Sequence, residues 1–426
     1  MRIHIIGINY WPEVTGIAVF STGRAEHLAS AGHDVTMCAA VPYYPQWRVP
    51  EEYRGLKFTR ETRAGVTILR CPLYVPSAVN ALRRVLHEAS FIASAFLRSL
   101  CCRRPDILFV VSPPLGLAVA AVILGWLWRV PYVFHVADLQ PDTALDLGMV
   151  RAGRVAQLLF AVERLAYRRA ALVSSLTGAM RARIIAKGIP AEKVVLFADW
   201  ADPRLFALAA GHADPIRQEL GLGDAFLVLH AGNMGVKQGL DVVLDAALQT
   251  RSDPGIVYLL VGDGAMRPHL EARARALGLD NVRIVPLLDD ERFLRVLAAA
   301  DVCLVTQQRT VADVVFPSQV LTLLAAGKPV IASVTGGSVV ANVIAGAGAG
   351  TVVAPEEGAA LVTAIEALRG DTARRTGMGA AGRAYASRHW ERTATLRYLT
   401  DTVEQVAEAS STNAGAPAAA KSQLSR

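Results

Sequence analysis

Short, uninterrupted apolar runs alternate with longer segments of mixed polarity along most of the chain. The runs before residue 205 are RIHIIGINY, DVTMCAAV, VTILRCPL, DILFVVS, PYVFHVAD, ALVSSLT and KVVLFAD, and those after it are FLVLHAGN, GIVYLLVGDG, VRIVPLL, DVCLVTQ, PVIAS and GTVVAP. Such runs are typical of strands buried on both faces of a parallel sheet, with helices between them. We therefore predict an α/β protein of two doubly wound, Rossmann-like parallel sheets, in which helices of the second half start near residues 240, 267, 291, 317, 339 and 358.

The length of 426 residues also favours two domains, because one hydrophobic core rarely serves so long a chain. We predict an N-terminal domain over residues 1–205 and a C-terminal domain over residues 206–385. A helix over residues 386–408 is expected to cross back to the first domain, and the Ala- and Ser-rich tail of residues 409–426 is expected to be disordered. Ligands of open parallel sheets bind beyond the carboxyl ends of the strands, so the chemistry is expected in those loops.

One apolar stretch is long enough to be mistaken for a membrane span. Residues Ile107 to Trp128 include no charged side chain across 22 positions. Pro113 and Pro114 divide the stretch, however, into a strand-like half and a helix-like half. We therefore expect a buried strand followed by a buried helix.

The formal net charge of +7 is concentrated in the first half, where residues 1–205 hold 24 Lys and Arg against 15 Asp and Glu, while the rest holds 20 against 22. This asymmetry suits either an anionic partner or an ordinary solvated surface. No nucleic-acid-binding motif is visible, so no nucleic acid is expected as a partner. The five cysteines show no metal-ligand spacing, and the N-terminal segment is too short and polar for a signal peptide, so we expect a cytoplasmic protein.

Two glycine turns lie between a strand and a helix, where backbone N–H groups can hold an anion. The first turn contains Gly16. In the second, HAGNMGVKQGLD, Gly232 and Gly235 flank the strand end, while Asn233 supplies an amide and Lys237 a positive charge. The second turn predicts a diphosphate site. Neither turn has the GxGxxG spacing of a dehydrogenase.

The segment VVFPSQVLTLLAAGKPVIAS, residues 314–333, predicts a helix that starts near a proline and contains no acidic side chain. Ser318 and Thr322 are four residues apart and share one face, with Gln319 beside them. We predict that the start of this helix aims its N–H groups and these side chains at a nucleotide. Earlier, Pro286 and Leu287 end a strand, where their backbone groups can hold a flat base.

His135 ends the strand PYVFHVAD, and Asp138 follows three residues later. A single histidine in a strand is more often a core residue than a catalytic one, so both interpretations stay open here. No serine or cysteine nucleophile motif and no histidine spacing for a metal accompanies it.

A family resemblance is carried by NYWPEVTGIAVFSTGRAEHLASAGHDV, PYYPQW, RCPLYVP, FHVADLQPD, HAGNMGVKQGLD, VGDGAMRPHLE and ADVVFPSQVLTLLAAGKPVIA. In this order the motifs resemble the family 4 retaining glycosyltransferases of GT-B fold, over nearly all of residues 1–400. Within that family the sequence looks most like the colanic-acid group of exopolysaccharide biosynthesis. The resemblance implies two Rossmann-like domains facing a central cleft.

The resemblance also implies roles for individual residues. His135 matches the family histidine that contacts the transferred sugar, Gly16 matches the loop against the diphosphate, and Lys237 matches the lysine that neutralises it. It implies that the donor is a nucleoside-diphosphate sugar, with GDP-fucose suggested by the subgroup. A polyprenyl-diphosphate-linked saccharide is the expected acceptor, because a lipid-linked acceptor would bring the substrate to a membrane-attached enzyme. No cofactor and no metal is expected. Transfer would occur on the front face, helped by the donor's own phosphate.

Two departures from the family pattern concern the donor. Asn233 stands where many members have an arginine, so one positive charge is missing. The family's paired glutamates correspond to Val314 and Thr322, and Asp313 is the nearest carboxylate that could replace the lost sugar contact. We interpret these as subgroup features.

The acceptor is expected on the basic first domain, with Glu13, Tyr43, Tyr44 and Asp138 as its contacts. The helix-length segment ALRRVLHEASFIASAFLRSL has one apolar face, and its other face carries Arg83, Arg84, Phe91 and Arg98. We predict that this second face lies on anionic lipid at the cytoplasmic face of the inner membrane, and an ordinary solvated arginine face is the alternative.

A sugar-nucleotide epimerase and a non-catalytic nucleotide-sugar-binding partner are the competing functions for the whole protein.

Overall fold

The computed structural model describes residues 1–14, 16–55, 57–78, 80–146, 153–208, 215–311 and 318–415. The chain forms two compact units. The first unit comprises Met1–Asp199 together with the chain from Thr393 onward, and the second comprises Trp200–Arg392. The chain therefore passes from the first unit to the second after Asp199 rather than after residue 205. Ala201 already belongs to the second unit, because its N–H donates a hydrogen bond of 3.0 Å to the carbonyl of Trp390.

The first unit is built on an eight-stranded sheet in the order β3-β4-β2-β1-β5-β6-β7-β8. Its strands are β1 Arg2–Ile6, β2 Asp34–Ala40, β3 Thr59–Arg63, β4 Val66–Cys71, β5 Ile107–Ser112, β6 Tyr132–Val136, β7 Leu172–Ser175 and β8 Val194–Leu196. All neighbours pair in parallel except β3 and β4. The sequence pattern missed β3, because this antiparallel edge strand reads TRETR and faces solvent along much of its length.

Helices cover both faces of this sheet. They are α1 Ile17–Ser30, α2 Ala81–Leu100, α3 Leu117–Trp128, α4 Gln140–Asp146, α5 Arg154–Arg169 and α6 Gly178–Ala186. The long apolar stretch is divided as predicted, into β5 and α3. No helix in the described part of the chain is both long and apolar enough to cross a membrane.

The second unit carries a six-stranded, all-parallel sheet in the order β11-β10-β9-β12-β13-β14. Its strands are β9 Phe226–Ala231, β10 Ile256–Val261, β11 Val282–Val285, β12 Val302–Thr306, β13 Val330–Ser333 and β14 Gly350–Val353. Its helices are α7 Pro203–Phe206, α8 Ile216–Glu219, α9 Asp241–Gln249, α10 Arg267–Ala276, α11 Asp290–Ala299, α12 Ser318–Ala325, α13 Val339–Gly346, α14 Gly358–Arg369 and α15 Thr372–His389. The predicted helix starts near residues 240, 267, 291, 339 and 358 agree with α9, α10, α11, α13 and α14 to within a residue. The inward faces of β9, β10 and β12 pack with α9 and α14 in one apolar core.

The last helix, α16 Arg392–Gly415, returns to the first unit. Its residues Leu396, Leu399 and Val403 are buried, and the ring of Tyr398 packs edge-on against Phe197 at 5.8 Å. The helix runs to Gly415, past its predicted end at residue 408, and residues 416–426 lie outside the described residues, so disorder of the tail stays a prediction.

The orientation of α2 corrects a prediction. Phe91 is fully buried and therefore does not face a membrane, and His87 and Ser99 on the same face are buried too. The apolar stripe points to solvent instead: Leu82 is 70% exposed and Leu97 is 59% exposed. The reason is that the sheet beneath the helix offers hydrogen bonds to its polar side, such as the 2.9 Å contact between Ser99 Oγ and His4 Nε2. Amphipathic periodicity separates two faces but does not say which one is buried.

Candidate functional site

The loop that follows β9 in the second unit is tied to the loop that follows β10. The N–H of Gly232 donates to the carbonyl of Val261 at 2.9 Å, and the N–H of Met234 donates to the carbonyl of Asp263 at 2.8 Å. In return, the N–H of Met266 donates to the carbonyl of Met234 at 2.9 Å. Both loops leave the carboxyl edge of the parallel sheet, where such folds bind ligands.

This close approach depends on glycine. A Cβ built on Gly262 would lie 1.9 Å from the carbonyl oxygen of Gly232, and one built on Gly264 would lie 2.5 Å from that of Met234. Gly262 and Gly264 also have φ values of 149° and 154°, which L side chains rarely adopt. The turn Gly262-Asp263-Gly264 is therefore a structural part of the predicted diphosphate loop.

Lys237 lies on a short 3₁₀ turn, Val236–Gln238, that closes the same loop. Its carbonyl accepts a hydrogen bond of 2.9 Å from the N–H of Gln308, and the carbonyl of Gln238 accepts one of 2.7 Å from the hydroxyl of Thr306. These bonds fix the turn to the end of β12. The turn therefore holds the half-buried Lys237 at the carboxyl edge of the sheet.

Gln238, which the sequence did not single out, organises the middle of the loop. Its side-chain oxygen Oε1 accepts from the N–H of Gly235 at 3.1 Å and from Nδ2 of Asn233 at 3.5 Å. A Cβ on Gly235 would stand 2.8 Å from Nδ2 of Asn233, so this glycine makes room for the amide. The exposed Asn233 thus takes the place of an arginine without adding charge.

The start of α12 meets this loop through Gln319. Its Nε2 donates to the carbonyl of Leu304 at 3.1 Å, and its Cδ lies 3.7 Å from the position of a Cβ on Gly232. Ser318 is exposed, and the hydroxyl of Thr322 donates to the carbonyl of Ser318 at 3.4 Å. The predicted helix start at Pro317, the predicted sugar contact of Asp313 and the glutamate-replacing Val314 lie outside the described residues.

Pro286 and Leu287 follow β11 at the same sheet edge. Both are exposed, and the strand end is linked to the glycine loops because Gly262 donates to the carbonyl of Val285 at 3.1 Å. The structure therefore brings together the predicted donor residues Gly232, Asn233, Gly235, Lys237 and Gln319. The predicted base contacts Pro286 and Leu287 follow a strand two positions away from β9 in the sheet.

His135 lies on β6 in the first unit and is fully buried. Its Nδ1 is 2.9 Å from the hydroxyl of Ser174, and its ring stacks at 5.8 Å on Phe109. Its Nε2 is buried without a hydrogen-bond partner. An orphaned polar atom of this kind is costly and marks a site that needs an explanation. A direct contact with a sugar stays a prediction, and it requires Nε2 to become exposed.

Two charged residues beside this histidine were not found from the sequence. The buried Arg24 and the partly buried Asp199 form an ion pair with 2.6 Å between the guanidinium nitrogen and Oδ1. Burial lowers the pKa of His135 well below its usual value, and the positive charge of Arg24 lowers it further. Burial raises the pKa of Asp199, against the opposing effect of Arg24. His135 is therefore a neutral imidazole at physiological pH.

The loops after β1 and β2 are joined by Glu13. Its Oε1 accepts hydrogen bonds from the backbone N–H groups of Tyr43 and Tyr44 at 2.9 and 2.8 Å, and its Oε2 accepts one from Asn9 at 2.8 Å. Burial raises the pKa of Glu13, although these donors oppose the shift. These three donors make Glu13 a link that orders the backbone of Tyr43 and Tyr44, and its direct contact with the acceptor stays a prediction. Tyr43 is buried as well, whereas Tyr44 is 36% exposed.

The remaining predicted residues of the first unit lie in loops or at a helix start. Gly16 caps α1 with a φ of 60°, and a Cβ there would meet no atom within 4 Å, so backbone conformation rather than crowding favours glycine. Asp138 follows β6 and accepts a hydrogen bond of 2.8 Å from the hydroxyl of Thr143. Within the ranges described, no three His, Cys, Asp or Glu side chains are grouped to hold a metal ion.

Comparison with known proteins gives the geometry a context. A glycosyl transferase 4-like domain matches residues 15–200, and the glycosyl transferases group 1 domain matches residues 213–385. The putative colanic acid biosynthesis glycosyl transferase WcaI of Escherichia coli K12 is 38% identical over 334 residues, which are 77% of this chain and 82% of that protein.

Solved structures agree at the level of fold. HepE of Anabaena in complex with UDP superimposes with a TM-score of 0.71 at 18% identity, over 95% of this chain and 100% of its own. Sucrose-phosphate synthase of Thermosynechococcus elongatus superimposes with a TM-score of 0.73 at 20% identity, over 96% of this chain and 99% of its own. These similarities confirm the predicted GT-B class of two parallel-sheet α/β domains.

Proposed function

Because this chain belongs to the glycosyltransferases that carry a glycosyl transferase 4-like domain and a group 1 domain, we propose that it is a retaining hexosyltransferase of exopolysaccharide biosynthesis. Its donor is a nucleoside-diphosphate sugar, with GDP-fucose as the first to test, and its acceptor is a polyprenyl-diphosphate-linked saccharide. The colanic-acid function in the name of its E. coli relative supports this pathway class.

The observation that carries the proposal is the crowded pair of glycine loops at the carboxyl edge of the second unit. The absence of a Cβ at Gly262 and Gly264 lets the two loops meet, and Lys237 adds a positive charge beside them. A diphosphate needs such backbone approach and charge compensation. The UDP in the HepE structure supports a nucleotide ligand for this class of fold.

The chemistry requires one bond to break and one to form at the anomeric carbon. The bond from that carbon to the donor phosphate oxygen breaks, the acceptor hydroxyl bonds on the same face, and its proton passes to the leaving phosphate. Lys237 and the N–H groups at the start of α12 stabilise the charge that develops on the diphosphate, and no metal is required. The hydroxyls of Ser318 and Thr322 solvate the nucleotide without adding negative charge. Asn233 contributes an amide in place of a second cation.

The acceptor binds the first unit, where Tyr44 and Asp138 are the accessible members of the predicted set. Glu13 acts indirectly, because it fixes the backbone of Tyr43 and Tyr44. His135 is neutral, and it contacts the transferred sugar if binding exposes Nε2.

The enzyme works at the cytoplasmic face of the inner membrane through a three-helix surface of the first unit. Its exposed apolar side chains lie on α2, α3 and α5, which pack side by side: Leu82, Val85, Leu86, Leu97, Leu100, Val119, Ile123, Trp126, Leu127, Val155, Leu158 and Leu165. Soluble proteins rarely expose so many large apolar residues without a partner. Arg83 and Arg84 at the start of α2 supply positive charge for anionic headgroups, so apolar insertion replaces the predicted contact of Phe91.

The proposal is tested by incubating the protein with radiolabelled GDP-fucose, GDP-mannose and UDP-sugars and a short-chain polyprenyl-diphosphate saccharide, with and without EDTA. The expected result is labelled lipid with the donor's anomeric configuration, formed equally well with EDTA. No transfer from any of these donors would contradict the proposal. Interconverted nucleotide sugar without an acceptor would favour an epimerase, and binding without turnover a non-catalytic partner.

A further inference from the structure

The first unit contains a cavity at the edge of its sheet opposite to the strand ends considered above. It has a volume of about 490 Å³ and lies between the amino ends of β1 and β2 and the carboxyl end of α2. The lining includes His4, Thr36 and Thr67, which the strand register aligns in one row across β1, β2 and β4. A volume of this size is within the range of small-molecule sites.

Arginines dominate the cavity wall. Arg2, Arg60, Arg98 and Arg103 all line it, and Asp34 is the single carboxylate among the lining residues. Arg2 has an external partner, since its guanidinium lies 3.6 Å from Asp106. In the part of the chain that the structure describes, Arg60, Arg98 and Arg103 have no carboxylate within ion-pair distance.

The other titratable groups of the cavity do not cancel this charge. Burial lowers the pKa of His4 to about 4, so its ring is neutral near pH 7. Burial also raises the pKa of the Cys102 thiol to about 11, although the charges of Arg98 and Arg60 act against the shift. The cavity therefore combines four guanidinium groups with one acid and an otherwise neutral lining.

Arg98 lines the cavity from the last turns of α2. Its Nε is buried and has no hydrogen-bond partner within the protein, and its guanidinium carbon lies 5.8 Å from the ring centre of Phe58. An unsatisfied N–H of a charged group is unfavourable. Guanidinium groups pair best with planar or tetrahedral oxyanions.

We propose that this arginine-lined cavity binds the phosphate group of a second ligand, distinct from the nucleotide donor. The chemistry is shared by free phosphates and phospholipid headgroups. Leu97 and Leu100, both exposed on the last turns of α2, lie next to Arg98 along the helix. A lipid headgroup is therefore the source whose apolar part the surrounding surface suits.

Binding is tested on the full chain by calorimetry with two probes, inorganic pyrophosphate and dihexanoyl phosphatidic acid below its critical micelle concentration. Excess GDP or UDP is present in both titrations to occupy a donor site. Hydrogen exchange of the peptides covering residues 98–106 and 232–239 then reports which loop each probe protects. The pocket variant is Arg60→Gln with Arg103→Gln, and the matched control is Arg168→Gln with Arg169→Gln, two exposed arginines of α5 that do not line the cavity.

Protection is expected at residues 98–106, with affinity at least about tenfold weaker in the pocket variant and unchanged in the control. Binding of both probes supports a general phosphate site, and binding of the phosphatidic acid alone supports a lipid-headgroup site. Equal affinity of the wild type and the pocket variant, absence of binding by either probe, or protection confined to residues 232–239 would overturn the proposal. None of these outcomes depends on sugar transfer, so they separate this site from the proposed function.

Discussion

The carbonyl oxygen of Gly232 occupies the space that a Cβ on Gly262 would need, at 1.9 Å. The loops after β9 and β10 can therefore meet only because position 262 is glycine. Gly262→Ala should force them apart, with a loss of stability of about 1–3 kcal/mol from overpacking and a larger loss of donor affinity. Chemical denaturation and nucleotide titration measure the two effects.

The control for this substitution is Gly377→Ala in α15, where a Cβ would meet no atom within 4 Å. Alanine in a helix interior should leave stability equal or raise it by up to about 1 kcal/mol. Equal nucleotide affinity in Gly262→Ala and wild type would show that the junction of the loops does not form the donor site.

Thr322 tests the role of hydroxyl groups at the start of α12. We expect Thr322→Ala to raise the KM for the donor several-fold, on the scale of one hydrogen bond of about 1 kcal/mol, with little change in stability. Thr363→Ala is a matched control, because its hydroxyl makes the same backbone contact to a carbonyl four residues earlier, at 3.0 Å to Ala359, on α14. An unchanged donor KM in Thr322→Ala would show that the hydroxyl at the start of α12 does not contribute to donor binding.

Acid should destabilise the first unit through His4. Burial lowers the pKa of His4 from 6.5 to about 4, so below pH 6.5 the unfolded chain binds a proton that the folded chain excludes. Stability contributed by this group is complete above pH 6.5 and is lost as pH falls, by about 1.4 kcal/mol for each pH unit. His4→Gln should therefore flatten the decline of the free energy of unfolding between neutral pH and about pH 5.

Urea unfolding of the wild type and of His4→Gln at several pH values measures this difference. Parallel slopes for wild type and His4→Gln in urea unfolding at several pH values would contradict the assignment of a neutral, buried His4.

The apolar stripe of α2 predicts how the protein attaches to lipid. Leu86→Ser with Leu97→Ser should weaken binding to vesicles of phosphatidylglycerol and phosphatidylcholine by at least about tenfold, because two exposed leucines lose their burial in the bilayer. Val19→Ser on α1, where the valine is 43% exposed, should bind as the wild type does. Vesicle sedimentation measures both, and equal binding of the leucine variant would exclude this surface as the attachment site.

The sequence predicted the parallel sheets and the helix starts of the second unit because buried parallel strands are continuous apolar runs. The prediction from sequence failed for elements whose local hydrophobic pattern does not match the contacts they make in the folded protein. The polar β3 resembles a loop in sequence, and the orientation of α2 is decided by hydrogen bonds to His4 and Tyr74 from distant parts of the chain.

The same limit applies to the predicted sites. Glycine turns revealed the donor loop, yet the contribution of Gln238 depends on the fold of that loop and has no signature of its own. The ion pair of Arg24 and Asp199 joins residues far apart in sequence, so no spacing indicates it. His135 matched a family motif, whereas its burial and its unpartnered Nε2 became visible only in three dimensions.

The central claim is that the loop after β9 stabilises a departing diphosphate, and Lys237 tests it most directly. The measurement is kcat for sugar transfer to the lipid-linked acceptor by Lys237→Ala, beside the exposed control Lys57→Ala, with both variants checked for an unchanged melting temperature. The account predicts that kcat falls by about 10²–10³ in Lys237→Ala and stays at the wild-type value in Lys57→Ala. A Lys237→Ala enzyme that transfers sugar at the wild-type rate would contradict it.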